Sequence, residues 1–238
     1  MIEVVAETGS TSSDLIARIA AGETMEEGHW LVADRQSAGR GRQGRVWSDG
    51  AGNFMGSTLV HLRTGDPAPH TLSLMAGLAA VLAVEEIAPG LSGLTLKWPN
   101  DVLLGDAKLA GILLERTRDV VVIGVGVNLG QAPDVPGRAV ASLASAGASV
   151  TRDEFAAVMA RCWRTIVMRW RGGFWEELRG EWLTRALPVG TPLQVHGPAG
   201  ETLRGTFGGL DPDGALQLRL PGGTRQTIHA GEVLLDRR

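Results

Sequence analysis

The stretch "GLTLKWPNDVLLGDAKLAGILLERTRDVVVIGVGVNLG", from Gly93 to Gly130, decides how this 238-residue chain folds. It contains three apolar, strand-like segments, and the turn at Gly105-Asp106 predicts a hairpin between the first two. Pro99 cannot donate to a sheet ladder, so we expect the chain to bend there or to lie at a sheet edge. Two further strands are predicted upstream, over residues 29–34 and 52–62. We therefore predict a β-sheet built around these segments.

Helices are predicted before these strands and between them along the chain. "SSDLIARIAAG" is expected to form a helix that Ser12 or Ser13 caps and Gly22 ends. "HTLSLMAGLAAVLAVEEIA", residues 70–88, is apolar almost all round, which is typical of a buried helix. The sequence thus predicts one domain in which strands and helices alternate along the chain.

A longer helix is predicted to begin at Thr151, which forms a capping box with Glu154. A second helix over "FWEELRGEWLTRAL" is expected to end before Pro188. The apolar stripe of the first helix indicates core packing, and its members are Phe155, Val158, Met159, Cys162, Trp163, Ile166 and Trp170.

The composition changes after Leu187. From there to Arg238, short apolar segments alternate with Gly, Pro and Asp turns and have no helical period. This pattern predicts a small β-barrel. We therefore expect two domains, residues 1–187 and 188–238.

The composition excludes several classes of protein. The net charge of −3 argues against a general nucleic-acid binder, and the single cysteine, Cys162, excludes an internal disulfide and a cysteine-rich zinc site. The first residues have no signal-peptide pattern, and no apolar run is long enough for a membrane span. A cytoplasmic location is therefore expected, and any binding of anions must be local.

One local site is the segment "RQSAGRGRQGRVWS", Arg35 to Ser48, which holds four arginines and no acidic residue. We name it the Arg/Gly segment. Arginine provides a planar fork for phosphate or carboxylate oxygens, and the glycines let backbone N–H groups approach an anion. Binding of a phosphate-bearing ligand is favoured, while an inert solvated loop remains an alternative. A nucleic-acid tail is disfavoured because the segment lies between strands and has no interleaved aromatic residues.

A second cluster of polar residues interrupts the apolar hairpin. Lys97, Asn100, Asp101 and Lys108 lie among Leu, Val and Trp residues. Burying such groups is costly unless they are paired, so a structural ion pair between Lys97 and Asp101 is one interpretation. A ligand site is the other, and the Arg/Gly segment in the same fold favours it.

Two further motifs are weaker candidates for ligand binding. "VVVIGVGVNLG" has glycine spacing GxGxxxG and no following helix, so it is a poor dinucleotide motif. Glycines in a strand instead allow a flat ligand to lie against the backbone, with Asn128 as a polar contact. "TGSTSSDL" offers more hydroxyl groups than helix capping needs. No Ser/His/Asp or Cys/His arrangement and no metal-ligand spacing is evident.

Along the chain these stretches occur in the order "GSTSSDL", "RQSAGRGRQGRVW", "KWPNDVLL" with "KLAGIL", and "IGVGVNLG". In that order they resemble the biotin protein ligase family over nearly the whole chain. The most specific wording is "GRGRQGRVW" and "KWPND" followed by "KLAGIL". The resemblance implies an α+β fold, with a central mixed β-sheet and helices packed on one face, as in class II aminoacyl-tRNA synthetases and biotin ligases. A small SH3-like β-barrel is expected to follow.

The resemblance also implies an ATP-dependent, AMP-forming reaction. Biotin would attack the α-phosphate of MgATP to give biotinyl-5′-AMP, and a lysine of a biotin carboxyl carrier protein would then accept the biotin. The carrier would belong to acetyl-CoA carboxylase or another biotin-dependent carboxylase. ATP with Mg²⁺ and biotin are expected as substrates, with no prosthetic group and no metal fixed by protein side chains.

The family pattern assigns roles by position. Lys108, Arg40 and Asp101 are the expected catalytic residues, and Lys108 would bridge the carboxylate and the α-phosphate. The expected ATP or adenylate contacts are Arg40, Arg42, Arg45, Trp47, Lys97, Asn100, Lys108 and Asn128. The expected biotin contacts are Ser10, Thr11, Gln36, Gly39, Arg40, Arg42, Lys108, Gly111 and Gly124. Trp47 is expected to close over the ligand, and the Arg/Gly segment to become ordered there.

Two departures from the family pattern matter. Ser12 stands where the family often has Asn, with little expected effect. Some members carry an N-terminal DNA-binding domain, for which the nine residues before the Ser-Thr pair leave no room, so no DNA binding is expected. A homodimer is possible, since an exposed sheet edge can pair with itself or receive the carrier.

Three other functions are considered. A lipoate or octanoate ligase or transferase shares the catalytic fold, but the wording of the motifs favours biotin. A non-catalytic binder is disfavoured because Arg40, Arg42, Lys97 and Lys108 are all present. An RNA-binding protein is disfavoured by the net charge.

Overall fold

The computed structural model of the chain describes residues 1–48, 50, 52–197 and 200–236. A seven-stranded mixed sheet has the order β1-β2-β3-β7-β6-β5-β4, in which only β1 and β2 run parallel to each other. Its strands are β1 Ile2–Thr8, β2 Trp30–Gln36, β3 Phe54–His61, β4 Leu94–Lys97, β5 Asp101–Leu104, β6 Ala107–Thr117 and β7 Val120–Val127. The predicted sheet is therefore confirmed, and the stretch that begins at Gly93 supplies four of its strands.

The first predicted segment of that stretch forms two strands instead of one. β4 and β5 pair as an antiparallel hairpin, and a cis Trp98–Pro99 peptide bond lies in the turn between them. β4 is an edge strand, as expected from a proline that cannot donate to the ladder. The predicted turn at Gly105-Asp106 joins β5 to β6, and Gly105 adopts the left-handed conformation that this tight turn requires.

Four helices accompany the sheet in the described residues: α1 Thr11–Ala20, α2 Thr71–Ile87, α3 Arg152–Arg171 and α4 Trp175–Thr184. α2 is buried almost all round, as predicted, between the sheet and α3. The capping box of α3 is present, and its apolar stripe packs into the main core through Phe155, Met159, Trp163, Ile166 and Trp170. None of these helices combines the length and the hydropathy needed to cross a membrane.

α1 is an exception to the prediction of helices on one face. Leu15 of α1 packs with Leu31 and Leu59, whereas Trp30 and Val32 pack with α2 and α3 in the main core. Because side chains alternate along a strand, these two sets lie on opposite faces of the sheet. α1 therefore covers the face opposite α2 and α3, and the end of this second face beyond α1 is left open.

The start of α1 also differs from the prediction. The N-cap is Ser10 instead of Ser12 or Ser13, and its side chain makes no capping hydrogen bond. Thr11 and Ser12 are buried in the first turn of the helix. Their hydroxyl groups are consequently directed at the sheet, where they bond to other side chains.

The C-terminal strands form a second, five-stranded antiparallel sheet of order β11-β10-β9-β8-β12. They are β8 Pro192–His196, β9 Thr202–Leu210, β10 Leu216–Arg219, β11 Arg225–Ile228 and β12 Glu232–Leu235. The predicted change to β structure is confirmed. Within the described residues no ladder joins β11 to β12, and the five strands pair in sequence from β11 to β12 as one antiparallel sheet.

The second sheet contacts the first domain through the β9–β10 turn. Nε1 of Trp98 donates to the carbonyl oxygen of Gly214 at 3.0 Å, and Nε1 of Trp175 donates to that of Pro212 at 2.6 Å. Gly214 has a left-handed φ of 84°, and a Cβ there would lie 3.0 Å from Leu74 and 3.3 Å from Trp175, so the turn favours glycine. The contact fixes the turn that precedes Asn100 and Asp101.

Candidate active site

Two adjoining cavities lie on the open part of the α1 face, beneath the Arg/Gly segment. The larger has a volume of about 350 Å³ and the smaller about 60 Å³. The predicted residues that line the larger cavity are Arg42, Arg45, Trp47, Lys97, Asn100, Asp101, Lys108 and Asn128. Those that line the smaller one are Ser10, Thr11, Gln36, Arg40, Arg42, Trp47, Asn100, Lys108, Gly111 and Gly124. The structure thus brings the four separate motifs together.

The Arg/Gly segment folds back on itself over these cavities. Arg42–Gly44 forms a short 3₁₀ turn, and Arg40 pairs with Val46 across it. Gly39 lines neither cavity but is bonded to Trp47, which lines both. The N–H of Trp47 donates to the Gly39 carbonyl oxygen at 2.9 Å. A Cβ at Gly39 would lie 2.5 Å from the Trp47 carbonyl oxygen, so glycine is needed at this crossing.

Trp47 lies flat against glycines of the sheet. A Cβ at Gly126 would lie 2.3 Å from Cε2 of Trp47, and one at Gly111 would lie 3.1 Å from Cζ3. The ring borders both cavities, and its Nε1–H is buried with no hydrogen-bond partner among the described residues. The glycines of β6 and β7 therefore form a flat surface that the indole covers.

Asp101 holds two lysines at the wall of the larger cavity. Its Oδ1 lies 2.5 Å from Nζ of Lys108, and its Oδ2 lies 2.9 Å from Nζ of Lys97. Burial raises the pKa of Asp101, but the charges of Lys108 and Lys97 and their hydrogen bonds overcome it and lower the pKa to about 2. Both interpretations from the sequence apply, because the ion pair is structural and also borders the cavity.

A β-bulge places Lys108 in the site. The pairing of β5 with β6 shifts between Val102 and Leu103, which adds one residue to β6. Leu109 and Ala110 are consecutive, yet both are buried in the main core. Lys108 is consequently directed to the cavity side, with its Nζ 5.8 Å from the centroid of the Trp47 ring.

Backbone carbonyl groups at the start of β12 hold one further cation, Arg42, and give Lys97 a second partner. Arg42 donates to the carbonyl oxygen of Gly231 at 3.2 Å and to Oδ1 of Asn100 at 3.2 Å. Lys97 donates to the carbonyl oxygen of Val233 at 2.8 Å. Burial lowers the pKa of Arg42, and this guanidinium is half enclosed between the two domains. The second domain therefore completes the larger cavity.

Arg40 does not border the larger cavity. Its guanidinium donates to Oγ of Ser13 at 3.0 Å and to Oε1 of Glu115 at 2.5 Å, and half of its side chain is exposed. It lines only the smaller cavity. In this structure Arg40 is thus held at the α1 side of the site by Ser13 and Glu115.

Buried hydroxyl groups form the far end of the smaller cavity. Oγ of Ser57 lies 2.7 Å from Oγ1 of Thr11 and 2.9 Å from Oγ of Ser12. Oε1 of Gln36 accepts from the N–H of Thr11 at 2.8 Å and from its hydroxyl at 3.1 Å. This network offers both donors and acceptors to a ligand.

Asn128 lies at the opposite end of the site. Its side chain is buried, and its Nδ2 donates to the carbonyl oxygen of Ala141 at 3.0 Å. Its backbone pairs with Leu109 and Leu143. Asn128 thus joins β7 to the loop that closes the larger cavity.

Sequence reasoning missed several residues at this site. Ser57 lies on the cavity side of β3, and a lone serine in an apolar strand was the available signal for it. Gly126, also on the cavity side, belongs to the strand glycines that were expected to lie against a flat ligand, although it was given no binding role of its own. Arg138 and Glu232 line the larger cavity from distant parts of the chain, so no local pattern could have identified them. No group of three or more His, Cys, Asp or Glu side chains that could hold a metal ion occurs in the described part of the chain.

The sequence is similar to those of known ligases over almost its whole length. Residues 12–130 match the Biotin/lipoate A/B protein ligase family, and residues 194–236 match the Biotin protein ligase C terminal domain. The biotin–[acetyl-CoA-carboxylase] ligase of Mycobacterium tuberculosis is 37% identical over 240 residues, which cover 98% of this chain and 88% of the relative. The bifunctional ligase/repressor BirA of Bacillus subtilis is 32% identical over 98% of this chain and 72% of its own length.

Solved structures agree with the sequence matches. The biotin protein ligase from Aquifex aeolicus in complex with biotin and ATP superposes with a TM-score of 0.85. The two are 27% identical, and the alignment covers 100% of this chain and 99% of that one. The whole arrangement of both sheets is therefore similar to that of a ligand-bound enzyme.

Proposed function

This chain belongs to the biotin protein ligase family, and on that premise we propose that its two adjoining cavities join biotin to AMP and then pass biotin to a carrier protein. The reaction uses biotin and MgATP and forms biotinyl-5′-AMP. A lysine of the biotin carboxyl carrier protein of acetyl-CoA carboxylase, or of a related carboxylase, then accepts the biotin. The observation that carries the proposal is the meeting of a hydroxyl-lined cavity and a cation-lined cavity at Lys108.

The charge of the larger cavity suits a nucleotide. Five cations and two carboxylates line it, so its fixed charge is positive although the chain as a whole is acidic. ATP and the biotin carboxylate are both anions and repel each other in water. Cations already held in place by Asp101, Gly231 and Val233 reduce that repulsion without reorganising when the ligands bind.

Lys108 is the proposed catalytic cation because it borders both cavities. At that position its ammonium group contacts the carboxylate of biotin and the α-phosphate, and it stabilises the charge that develops as the carboxylate oxygen attacks phosphorus. Arg42, at the same boundary, holds the phosphates. Arg40 contacts the biotin side, and this requires it to leave Glu115.

The smaller cavity is proposed to receive the ureido ring of biotin. Ser10, Thr11, Gln36 and Ser57 offer the donors and acceptors that a ureido group needs. A volume of about 60 Å³ is far below that of a ligand pocket, commonly about 300 Å³ or more. We infer that Trp47 leaves the glycine surface when biotin enters, so that the rest of the ligand lies on Gly111, Gly124 and Gly126.

Asp101 orients groups in the transfer step and does not act as a strong base. A carboxylate whose pKa is lowered to about 2 by two lysines accepts a proton poorly at neutral pH. Its position between Lys97 and Lys108 suits it to fix their ammonium groups. The adenylate-binding role of Arg45, Lys97, Asn100 and Asn128 rests on their place in the lining of the larger cavity.

The two sheets are proposed to have different roles. We propose that residues 1–187 form the catalytic domain and that residues 188–238 complete the nucleotide cavity through β12. β1 is an edge strand with Ile2 and Val4 exposed, and it is the proposed surface for the carrier or for a second copy. We further propose that the reaction occurs in the cytoplasm and involves no DNA, and the net charge of −3 supports the second part.

The test mixes the protein with MgATP and biotin and measures biotinyl-AMP by mass spectrometry. Parallel reactions contain lipoate or octanoate in place of biotin. We expect the biotin adenylate to dominate, followed by biotin transfer to an added carrier domain. A preference for lipoate would contradict the proposal and favour the related lipoate ligases.

A further inference from the structure

Glu232, at the start of β12, holds two arginines from separate loops of the first domain. Its Oε2 pairs with Arg45 of the Arg/Gly segment, and its Oε1 pairs with Arg138 of the loop between β7 and α3. Each arginine thus contacts a different oxygen of one carboxylate. A single side chain of the second domain therefore links two loops that are distant in sequence.

All three residues line the larger cavity. Arg45 and Arg138 lie on its β12 side, whereas Lys108 lies where the two cavities meet. A nucleotide with its α-phosphate at Lys108 can extend its β- and γ-phosphates toward β12. The two arginines lie in that direction.

The carboxylate of Glu232 is ionised at neutral pH. The hydrogen bond from Arg45 lowers its pKa, burial opposes this, and the charges of Arg45 and Arg138 lower it further. The side chains of the arginines are partly exposed, 42% for Arg45 and 33% for Arg138, against 18% for Glu232. Exposed guanidinium groups can exchange one anion for another at little cost.

A negative charge is otherwise misplaced in a cavity for polyphosphate. Asp101 has a structural reason to be there, because it holds two buried lysines. The two partners of Glu232 are instead arginines that remain accessible to the cavity. The carboxylate of Glu232 lies between two guanidinium groups, where a phosphate group could bind in its place.

We propose that Glu232 is an internal substitute for the leaving pyrophosphate, and that it exchanges Arg45 and Arg138 with the β- and γ-phosphates of ATP. This inference rests on the proposed function. When nucleotide binds, the arginines turn from Glu232 to the phosphates. When pyrophosphate leaves, the carboxylate takes the arginines back, which weakens the hold on the product and favours its release. Glu232 thereby limits the affinity of the site for ATP and pyrophosphate alike.

The test compares the intact protein with E232Q, which keeps the shape of the side chain and removes its charge. Calorimetry measures the binding of magnesium pyrophosphate and, separately, of biotin. We expect pyrophosphate to bind about fivefold more tightly to E232Q, with a matching fall in the KM for ATP and stronger product inhibition. Biotin affinity should not change, and E232D, which keeps a carboxylate, should return toward the intact protein.

Two further sets of variants complete the test. R45Q and R138Q should each weaken pyrophosphate binding about tenfold, and the gain from E232Q should disappear when either is combined with it. E86Q is the matched control, since Glu86 pairs with Arg161 on the helices and lines none of the cavities described above. It removes the same charge and should leave pyrophosphate affinity unchanged.

The outcomes separate the possibilities. Weaker pyrophosphate binding by E232Q would overturn the proposal and leave Glu232 as a residue that only holds the arginines in place. Unchanged binding by R45Q and R138Q would also overturn it. Absence of biotinyl-AMP with the intact protein would instead contradict the proposed function, because that assay does not depend on Glu232.

Discussion

Nζ of Lys108 lies 2.5 Å from Oδ1 of Asp101, so the proposed catalytic cation is paired with a buried carboxylate of the protein itself. Lys97 completes the group from the other carboxylate oxygen. One negative and two positive charges leave an excess positive charge at the boundary of the two cavities. The relationship explains how an acidic protein keeps a cation ready for an anionic substrate.

Lys108→Ala should reduce biotinyl-AMP formation at least about a hundredfold, because a transition-state donor is lost. The measurement is single-turnover adenylate formation with saturating biotin and ATP. Circular dichroism is expected to show an intact fold, since the lysine is partly exposed and the bulge of β6 is formed by the backbone. Adenylate formation within a few-fold of normal would remove Lys108 from the catalytic step.

Asp101→Asn should change the dependence of stability on pH. The pKa of Asp101 is lowered from 3.8 to about 2 in the folded protein, so its ion pairs stabilise the fold above about pH 4. That contribution, about 2 kcal/mol, is lost as the pH falls from about 4 toward 2. Urea unfolding at pH 6 and at pH 3 measures it.

The intact protein should lose more stability between these two pH values than the Asn variant does. At pH 6 the variant should be less stable by about 3 kcal/mol, because two lysines lose their partner. Equal pH dependence of the two proteins would show that Asp101 is not held in its ionised form by the lysines.

Gly126→Ala should weaken biotin and ATP binding at least about tenfold while the fold is retained. The new methyl group would lie 2.3 Å from the Trp47 ring, so the ring must move, and the methyl group would narrow the glycine surface. Calorimetric titration with each ligand measures the loss. Gly180→Ala in α4 is the control, because a methyl group there would meet no neighbouring atom within 4 Å, and its binding should be normal.

Ser57→Ala should weaken biotin binding about tenfold and lower the free energy of unfolding by about 1–2 kcal/mol, because Thr11 and Ser12 both lose a partner. Its neighbour Thr58 is also fully buried, but its hydroxyl has no hydrogen-bond partner among the described residues. Thr58→Val should therefore be neutral or stabilising and leave biotin binding unchanged. Similar losses in both variants would mean that Ser57 contributes only to packing.

The pattern of the sequence was sufficient for the elements that depend on local chemistry. Thr151 and Glu154 are three residues apart, so their capping box forms within one helical turn, and it is present as predicted. Pro99 restricts the backbone at its own position and Gly105 permits a left-handed conformation at its own, and both turns lie where they were expected. The apolar stripe of α3 follows from helical spacing alone.

Local patterns could not predict that α1 covers the face of the sheet opposite α2 and α3. Trp30, Leu31 and Val32 are three consecutive apolar residues, and a fully buried strand has no polar face to mark one side from the other. Only the packing of Leu15 against Leu31 reveals that both faces of β2 are covered by helices. Ser57 was missed for the same reason, because its hydrogen-bond partners lie on α1.

β1 was not predicted, and the first segment of the Gly93 stretch was predicted as one strand instead of two. Local patterns were sufficient for the family, the remaining strands and helices, and the kinds of residue that hold anions. These properties depend on neighbours along the chain and on motifs that stay intact within it. Which cations meet depends on the tertiary structure. The bulge that directs Lys108 to the cavity, and the β12 residues that hold Arg42, Arg45, Lys97 and Arg138, depend on contacts between segments that are distant in sequence. Such contacts form when two sheets pack, and no local pattern encodes them.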